Sequence, residues 1–286
     1  MARYGFVLWT AARQQLAYRA ELAMRAIQMV LFMGVFIALW TTAFGASGQA
    51  ELEGYRLAEM VWYLAMTETI TLSSSRVFIE ISEAVKAGNL AYTLTRPLSY
   101  PFFQVANSLG NSIPRFALNL LTAVAVVGLG MGWLPVLSPS VPSASLRTSS
   151  LGMNSAEGAG SLRGLLAFLW MAALALLLDS LIAVLIGLLA FWIEEVTPVF
   201  WIYQKLLFTV GGLFLPLEMF PDWLRRVAGW LPFQFITYVP ARAFVAFEPG
   251  FVLRAMAGQI AYVVMFSALV VFVWRRAQRR LVVHGG

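Results

Sequence analysis

One apolar run in the second half of the chain limits what this sequence can fold into. Residues 165–193 contain a single charged side chain, Asp179. About 20 apolar residues in a helix cross the hydrocarbon core of a bilayer. Apolar residues make up 60% of the chain and charged residues 12%, against about 45–50% and about 25% in soluble domains. The sequence therefore predicts an all-α, polytopic membrane protein.

Six apolar runs are separated by polar segments, so we predict six transmembrane helices in a single domain over residues 1–286. The predicted spans cover residues 27–44, 57–75, 116–137, 165–193, 198–217 and 255–274. The second span contains Glu59 and Glu68. Charges at membrane depth are costly unless they face other helices or a cavity. We therefore expect this span to be buried among its neighbours.

Two segments outside the spans have distinct compositions. Residues 1–26 interleave apolar and basic side chains, which is typical of a helix in the membrane interface. The solvated start of the first span is an equal alternative. Residues 135–163 are rich in Ser, Pro and Gly and lack helical periodicity, which indicates an extracytoplasmic loop.

Residues 212–250, before the last span, are interrupted repeatedly by proline. Pro216, Pro221 and Pro232 break helices, and Trp223 suits the membrane interface. Broken helix at membrane depth is tolerated only when it packs in protein or lines a cavity. This pattern predicts a re-entrant helical hairpin, with a plain external loop as the alternative.

Lysine and arginine placement orients the chain. With six spans both termini lie on one side, and the basic residues favour the cytoplasm for that side. The side that holds the termini carries Arg3, Arg13, Arg19, Arg25, Arg76, Lys86, Arg96, Arg275, Arg276, Arg279 and Arg280, and the other side carries Arg56, Arg147, Arg163, Arg225, Arg226, Arg242 and Arg254. Because these residues border apolar runs, the net charge of +6 indicates topology and anionic lipid headgroups, not nucleic acid.

Two acidic residues inside predicted spans are candidate functional groups. Asp179 is in the middle of the fourth span, and Glu68 lies among threonines in the second. An ionisable group at that depth is a candidate for a transport pathway. It is equally a candidate for a hydrogen-bonded lock between helices. In either role we expect Asp179 to face the bundle.

The cytoplasmic segment 76–99 contains a short charged helix. Residues 79–87 can form an amphipathic helix, Gly88 supplies its C-terminal stop, and Pro97 prevents helix just before the next segment. Such a helix at the membrane surface is a contact for a cytosolic partner or an ordinary interfacial loop helix.

Two stretches of the chain resemble the ABC-2-type permeases, the membrane subunits of type-2 ABC exporters. The first carries Glu80, Ile81, Gly88, Leu90, Leu94, Arg96, Pro97 and Leu98, similar to the E-I-x-x-G-x-L … L-x-R-P-L signature of that family. The second, residues 212–224 with Leu231-Pro232-Phe233, is similar to the family's region before the last span. The resemblance extends over nearly the whole chain.

The resemblance implies a permease subunit in a plasma membrane, such as the bacterial inner membrane. Segment 76–99 would then be the coupling segment, which docks on a separate ATPase subunit through Glu80, Glu83, Lys86, Gly88, Arg96 and Pro97. A second permease chain, identical or homologous, would complete the pathway. ATP and magnesium would bind the partner ATPase, and no cofactor or metal is expected in this chain.

The sequence excludes some functions and leaves others open. It lacks a G-x-x-x-x-G-K-[ST] phosphate loop, and Lys86 and Lys205 are its two lysines, so it is not the ATPase. With no cysteine and one histidine, it offers no metal cluster or catalytic dyad. An ion-gradient-driven transporter, with Glu59, Glu68 and Asp179 as ion sites, and a non-transporting membrane scaffold are the alternatives.

Overall fold

The computed structural model describes residues 2–88, 98–131 and 162–283. These ranges form ten α-helices and one short hairpin. The helices are α1 Ala2–Ala17, α2 Arg19–Ser47, α3 Leu57–Thr71, α4 Val77–Lys86, α5 Tyr100–Met131, α6 Leu162–Leu188, α7 Thr197–Thr209, α8 Asp222–Gly229, α9 Tyr238–Val245 and α10 Pro249–Val283. Strands β1 Glu51–Leu52 and β2 Tyr55–Arg56 pair antiparallel between α2 and α3. Three 3-10 turns cover Leu189–Phe191, Leu217–Met219 and Pro232–Phe235.

Within the described residues, four helices are long and apolar enough to cross a membrane. They are Arg19–Ser47, Tyr100–Gly130, Leu162–Phe191 and Pro249–Arg279. They correspond to the first, third, fourth and sixth predicted spans, and the third begins well before its apolar run. The all-α membrane architecture predicted from composition is confirmed at this level.

The second and fifth predicted spans form shorter helices than the sequence suggested. With 15 and 13 residues, α3 and α7 are about 22 and about 20 Å long, and the hydrocarbon core is about 30 Å thick. A serine-rich turn follows α3, where hydroxyls compete for backbone hydrogen bonds. After α7, Gly212 adopts φ +77° and turns the chain.

Helix α3 runs antiparallel to α2 through the centre of the bundle. At the start of α2, Arg25 Nη1 donates to the carbonyl of Leu72, just beyond the end of α3, at 3.1 Å. All residues from Met60 to Ile70 are buried, which confirms that the second apolar run lies among its neighbours.

The other central helix is α6, which packs against α4, α5, α9 and α10. In its most apolar 18-residue window 67% of the residues are buried, against 17% in α2 and 11% in α10. The two peripheral helices therefore present most of their apolar surface outward, where lipid solvates it, while α6 positions the elements around it.

The N-terminal segment forms a helix of its own, separated from α2 at Tyr18. Helix α1 packs along the first half of α5 at Gly110, where an added Cβ would lie 2.5 Å from the Leu8 carbonyl oxygen and 2.6 Å from Ala11 Cβ. Only glycine permits so close a backbone approach at this crossing. Residues 2–17 are therefore anchored to the bundle, not a simple extension of the first span.

Candidate functional site

The charged helix predicted within residues 76–99 is α4, which begins two residues earlier and ends one residue earlier than predicted. Its buried face consists of Val77, Phe78, Ile81 and Ser82. Glu83 and Lys86 lie on the exposed face. In the folded chain α4 is therefore amphipathic: its apolar face packs on the bundle, and its charged face is available to a partner.

The apolar face of α4 is seated on α6 and α7 by close contacts. Phe78 stacks on Phe200 with ring centroids 4.0 Å apart. An added Cβ at Gly187 of α6 would lie 2.8 Å from Ile81 Cβ and 3.1 Å from Phe78 Cα. The backbones of α4 and α6 meet only because residue 187 has no side chain, so α4 must move with the end of α6.

An ion pair joins the C-terminal end of α4 to the turn that precedes α7. Lys86 Nζ lies 3.1 Å from Glu195 Oε2, and Glu195 Oε1 accepts a hydrogen bond from the Thr197 hydroxyl at 2.6 Å. These bonds from Thr197 and Lys86 lower the pKa of Glu195 to about 2. Both charged groups are largely exposed, so this pair orients the helix end more than it stabilises the fold.

Glu80 differs from Glu83 in its surroundings. Glu80 Oε2 accepts a hydrogen bond from Asn107 Nδ2 of α5 at 3.1 Å. Neighbouring groups remove part of its hydration, which raises its pKa, while Arg115 acts in the opposite direction. Glu80 therefore ties α4 to α5, and Glu83 is the carboxylate that projects outward.

Helix α4 ends just before Gly88, the glycine predicted to terminate it. Gly88 adopts φ +67° and donates its N–H to the carbonyl of Val85 at 3.1 Å, as helix-ending glycines do. Arg96 and Pro97, the other predicted coupling residues, lie outside the described residues.

Aromatic contacts join three other helices at the end of the bundle where α4 lies. Tyr100, at the start of α5, stacks on Trp274 near the end of α10 with centroids 5.2 Å apart. Phe191, just after α6, contacts the same tryptophan edge-on. Trp274 therefore joins the start of α5, the end of α6 and the end of α10.

The intramembrane acid predicted to face the bundle does so. Asp179 is 3% exposed, and its Oδ1 accepts a hydrogen bond from the Tyr203 hydroxyl of α7 at 2.6 Å. Ser180 contacts Ser108 of α5 at 2.9 Å. Glu68 is also buried, at 2% exposure, and its Oε1 has no hydrogen-bond partner within the described ranges.

Replacing Tyr203 with phenylalanine is expected to leave the buried Asp179 carboxyl without its donor and to destabilise the protein by about 1–3 kcal/mol. Thermal unfolding in detergent measures the change. Tyr262→Phe is the control, because the Tyr262 hydroxyl donates to the Trp230 carbonyl in an exposed position. Equal melting temperatures for the two variants would show that the Asp179 contact is not a lock.

At the opposite end, an acidic side chain joins three elements around α9. Glu218 Oε1 lies 2.7 Å from Arg242 Nε and accepts the Tyr238 hydroxyl at 2.6 Å. Its Oε2 accepts a hydrogen bond from the hydroxyl of Tyr55, in strand β2 of the hairpin, at 3.2 Å. Arg242 also lies over the ring of Phe251, 4.0 Å from its centroid. Sequence reasoning missed this cluster, counting Arg242 only as an external charge.

The predicted proline-rich region has buried and exposed parts. Pro216 is buried, Pro221 immediately precedes α8, and Pro232 begins a 3-10 turn. Trp223, on α8, is 64% exposed, whereas α9 is buried along almost its full length. Thr237 Oγ1 donates to the Gly211 carbonyl at 2.5 Å, so the chain returns to the end of α7 before entering α9.

Residues 2–88, 98–131 and 162–283 contain no group of three or more His, Cys, Asp or Glu side chains that could hold a metal ion.

Comparison with known families supplies the context for these features. Residues 25–139 and 160–285 match the family described as ABC-2 family transporter protein, which covers most of the chain. No curated protein matches it. Members of this family are membrane components of ABC transporters without an ATPase domain of their own, and the match includes α4, Asp179 and the proline-rich region. This multi-pass membrane protein belongs to the ABC-2 family of transporter proteins.

Proposed function

We propose that this chain is the permease subunit of an ATP-driven ABC exporter and that α4 is its docking helix for a separate ATPase subunit. The observation that carries the proposal is the seating of α4. Its apolar face is fixed to α6 at Gly187, and its opposite face presents Glu83 and Lys86. A helix that is packed rigidly on the bundle and has a charged outer face can bind a partner and transmit the partner's movement to the bundle.

The proposal includes an arrangement in the membrane. Helices α3 and α7 complete six spans with the four long helices, and both termini lie in the cytoplasm of a plasma membrane, beside α4. Because α3 and α7 are short for a bilayer, they depend on the surrounding helices and on local bilayer thinning. Helices α8 and α9 then form a re-entrant pair at the outer face.

The remaining parts of the transporter are supplied by other chains. A second permease chain, identical or homologous, encloses the pathway with this one, and the partner ATPase binds ATP and magnesium. Asp179 and Glu68 are the polar groups proposed to lie along or near that pathway. The few buried charges favour an amphiphilic substrate, whose apolar part the long apolar helices can accommodate.

Purification of the tagged chain from its host in mild detergent, with mass spectrometry and an ATPase assay on the eluate, tests the proposal. We expect a stoichiometric ATPase subunit and ATP hydrolysis. An eluate that holds this chain alone, with no hydrolysis, would contradict the proposal and favour the ion-coupled transporter or the scaffold.

Reversing the charge at Glu83 is expected to weaken ATPase docking without destabilising the permease. Glu83→Arg changes an exposed carboxylate on the outer face of α4, so the ATPase recovered with the chain should fall about tenfold, equivalent to about 1.4 kcal/mol. Glu53→Arg, in the hairpin at the other end, is the charge-matched control. Equal recovery from both variants would place the docking surface elsewhere.

A further inference from the structure

An open cleft of about 640 Å³ lies between α2, α4 and α5. It is lined by side chains of α2, α4 and α5 and of the turn before α4, among them Glu21, Met24, Arg25, Arg76, Glu80 and Arg115. It is at the end of the bundle where α2 begins and where α4 is seated. The proposed docking of an ATPase on α4 makes no use of it.

Three guanidinium groups converge on this cleft against two carboxylates. Arg25 and Arg115 share one acid, Glu21 Oε1, at 2.8 and 3.1 Å. The guanidinium of Arg76 has neither an ion-pair nor a hydrogen-bond partner within the described ranges. Glu80 bonds Asn107. The cleft therefore has an excess of positive charge, and the guanidinium of Arg76 is available to an anion.

Two buried donors beside the cleft lack acceptors. Gln15 of α1 is 5% exposed, and its Oε1 accepts a hydrogen bond from Arg115 Nη2 at 2.9 Å. The Nε2 of Gln15 and the Nε of Arg115 have no acceptor among the residues described. Unsatisfied buried donors cost free energy, so Arg115, which lines the cleft, keeps hydrogen-bonding capacity that its partners in the protein leave unused.

Exposed apolar side chains continue from the cleft along α2. Met24, Ile27 and Leu31 are 65%, 52% and 65% exposed. Their spacing of three and four residues places them on one stripe of the helix. Arginines at the head of an apolar stripe match a molecule with an anionic head and hydrocarbon chains, and a free inorganic ion would leave the stripe unused.

We propose that this cleft binds the phosphate headgroup of an anionic membrane lipid, with Arg76 and Arg115 on the phosphate and the acyl chains along Met24, Ile27 and Leu31. Arginine suits this role because its planar fork donates two hydrogen bonds to phosphate oxygens. The bound lipid would fill the space between α2 and α4 and so join the N-terminal helices to the proposed docking helix.

Native mass spectrometry of the purified chain tests the site with phosphatidylglycerol and with phosphatidylcholine of the same acyl chains. We expect a retained phosphatidylglycerol adduct that Arg76→Gln lowers about fivefold, as loss of one positive charge next to an anionic headgroup does. Arg19→Gln, an exposed arginine outside the cleft, is the control and should retain the adduct. Arg115→Gln should lower it as well, but Arg76→Gln is the decisive variant, because among the described residues the Arg76 side chain makes no hydrogen bond or ion pair that its loss would break.

Three results would overturn the proposal. Equal losses in Arg76→Gln and Arg19→Gln would indicate general surface attraction, and equal retention of both lipids would exclude recognition of net negative charge. Displacement of the adduct by millimolar inorganic phosphate would identify a free-anion site in place of a lipid site. The readout requires no ATPase, so failure of the proposed docking on α4 would leave this result interpretable.

Discussion

Replacement of Gly187 by valine is expected to dislodge α4 and to abolish coupling to an ATPase. An added Cβ alone would lie 2.8 Å from Ile81 Cβ and 3.1 Å from the Phe78 backbone, and valine adds two more methyl groups at the same place. Overpacking of this kind costs about 1–3 kcal/mol. Because backbone is in the way, α4 must shift as a unit, and the Phe78–Phe200 stack is expected to be lost with it.

Co-purified ATPase and its hydrolysis rate measure the effect of Gly187→Val, and a melting curve shows whether the bundle survives. Gly34→Val is the matched control, because an added Cβ at Gly34 meets nothing within 4 Å. Retention of wild-type coupling by Gly187→Val would mean that the contact between α4 and α6 does not transmit movement.

Substitution of Arg242 by methionine is the second change with a large expected effect. It removes the ion-pair partner of Glu218 and the cation over Phe251. Arg242 and Glu218 side chains are 17% and 28% exposed, so the carboxylate would remain largely desolvated with only tyrosine hydroxyls as partners. We expect a loss of about 2–3 kcal/mol and increased protease access to residues 210–248.

Arg254→Met is the control for this experiment. Arg254 lies 4.0 Å from Glu248 and its side chain is 79% exposed, so the same change of chemistry should have little effect there. Limited proteolysis and thermal unfolding report the outcome. If both variants resist protease equally, the Glu218 cluster does not hold this region together.

Local sequence patterns accounted for much of the fold. Apolar runs of sufficient length identified the four long helices because burial in hydrocarbon requires composition alone. Gly88 identified the end of α4, since a positive φ has a local signature in the sequence. The lengths of α3 and α7 were overestimated. The predicted second span included the serine-rich turn that ends α3, and apolar residues continue past the glycine turn that follows α7.

The contacts that organise the candidate site could not be predicted from the sequence. The hydroxyl of Tyr55 bonds Glu218, which is 163 positions away, and no local pattern joins them. In the sequence, Gly187 cannot be distinguished from other small residues of an apolar helix. Its role as a contact point is evident only once α4 is packed against α6. The Gln15–Arg115 bond spans 100 positions, and the cleft lined by α2, α4 and α5 forms only when these helices pack together.

The burial of α9 has a consequence for biosynthesis. This helix packs against α3 and α6, and the ribosome completes both before it synthesises residues 238–245. The two helices that contact α9 are therefore synthesised first, and the slot between them is filled only when α9 follows. Until the ribosome has added this late segment, the translocation machinery or a chaperone must shield the slot, so quality control of the nascent chain should be most demanding at this stage of synthesis.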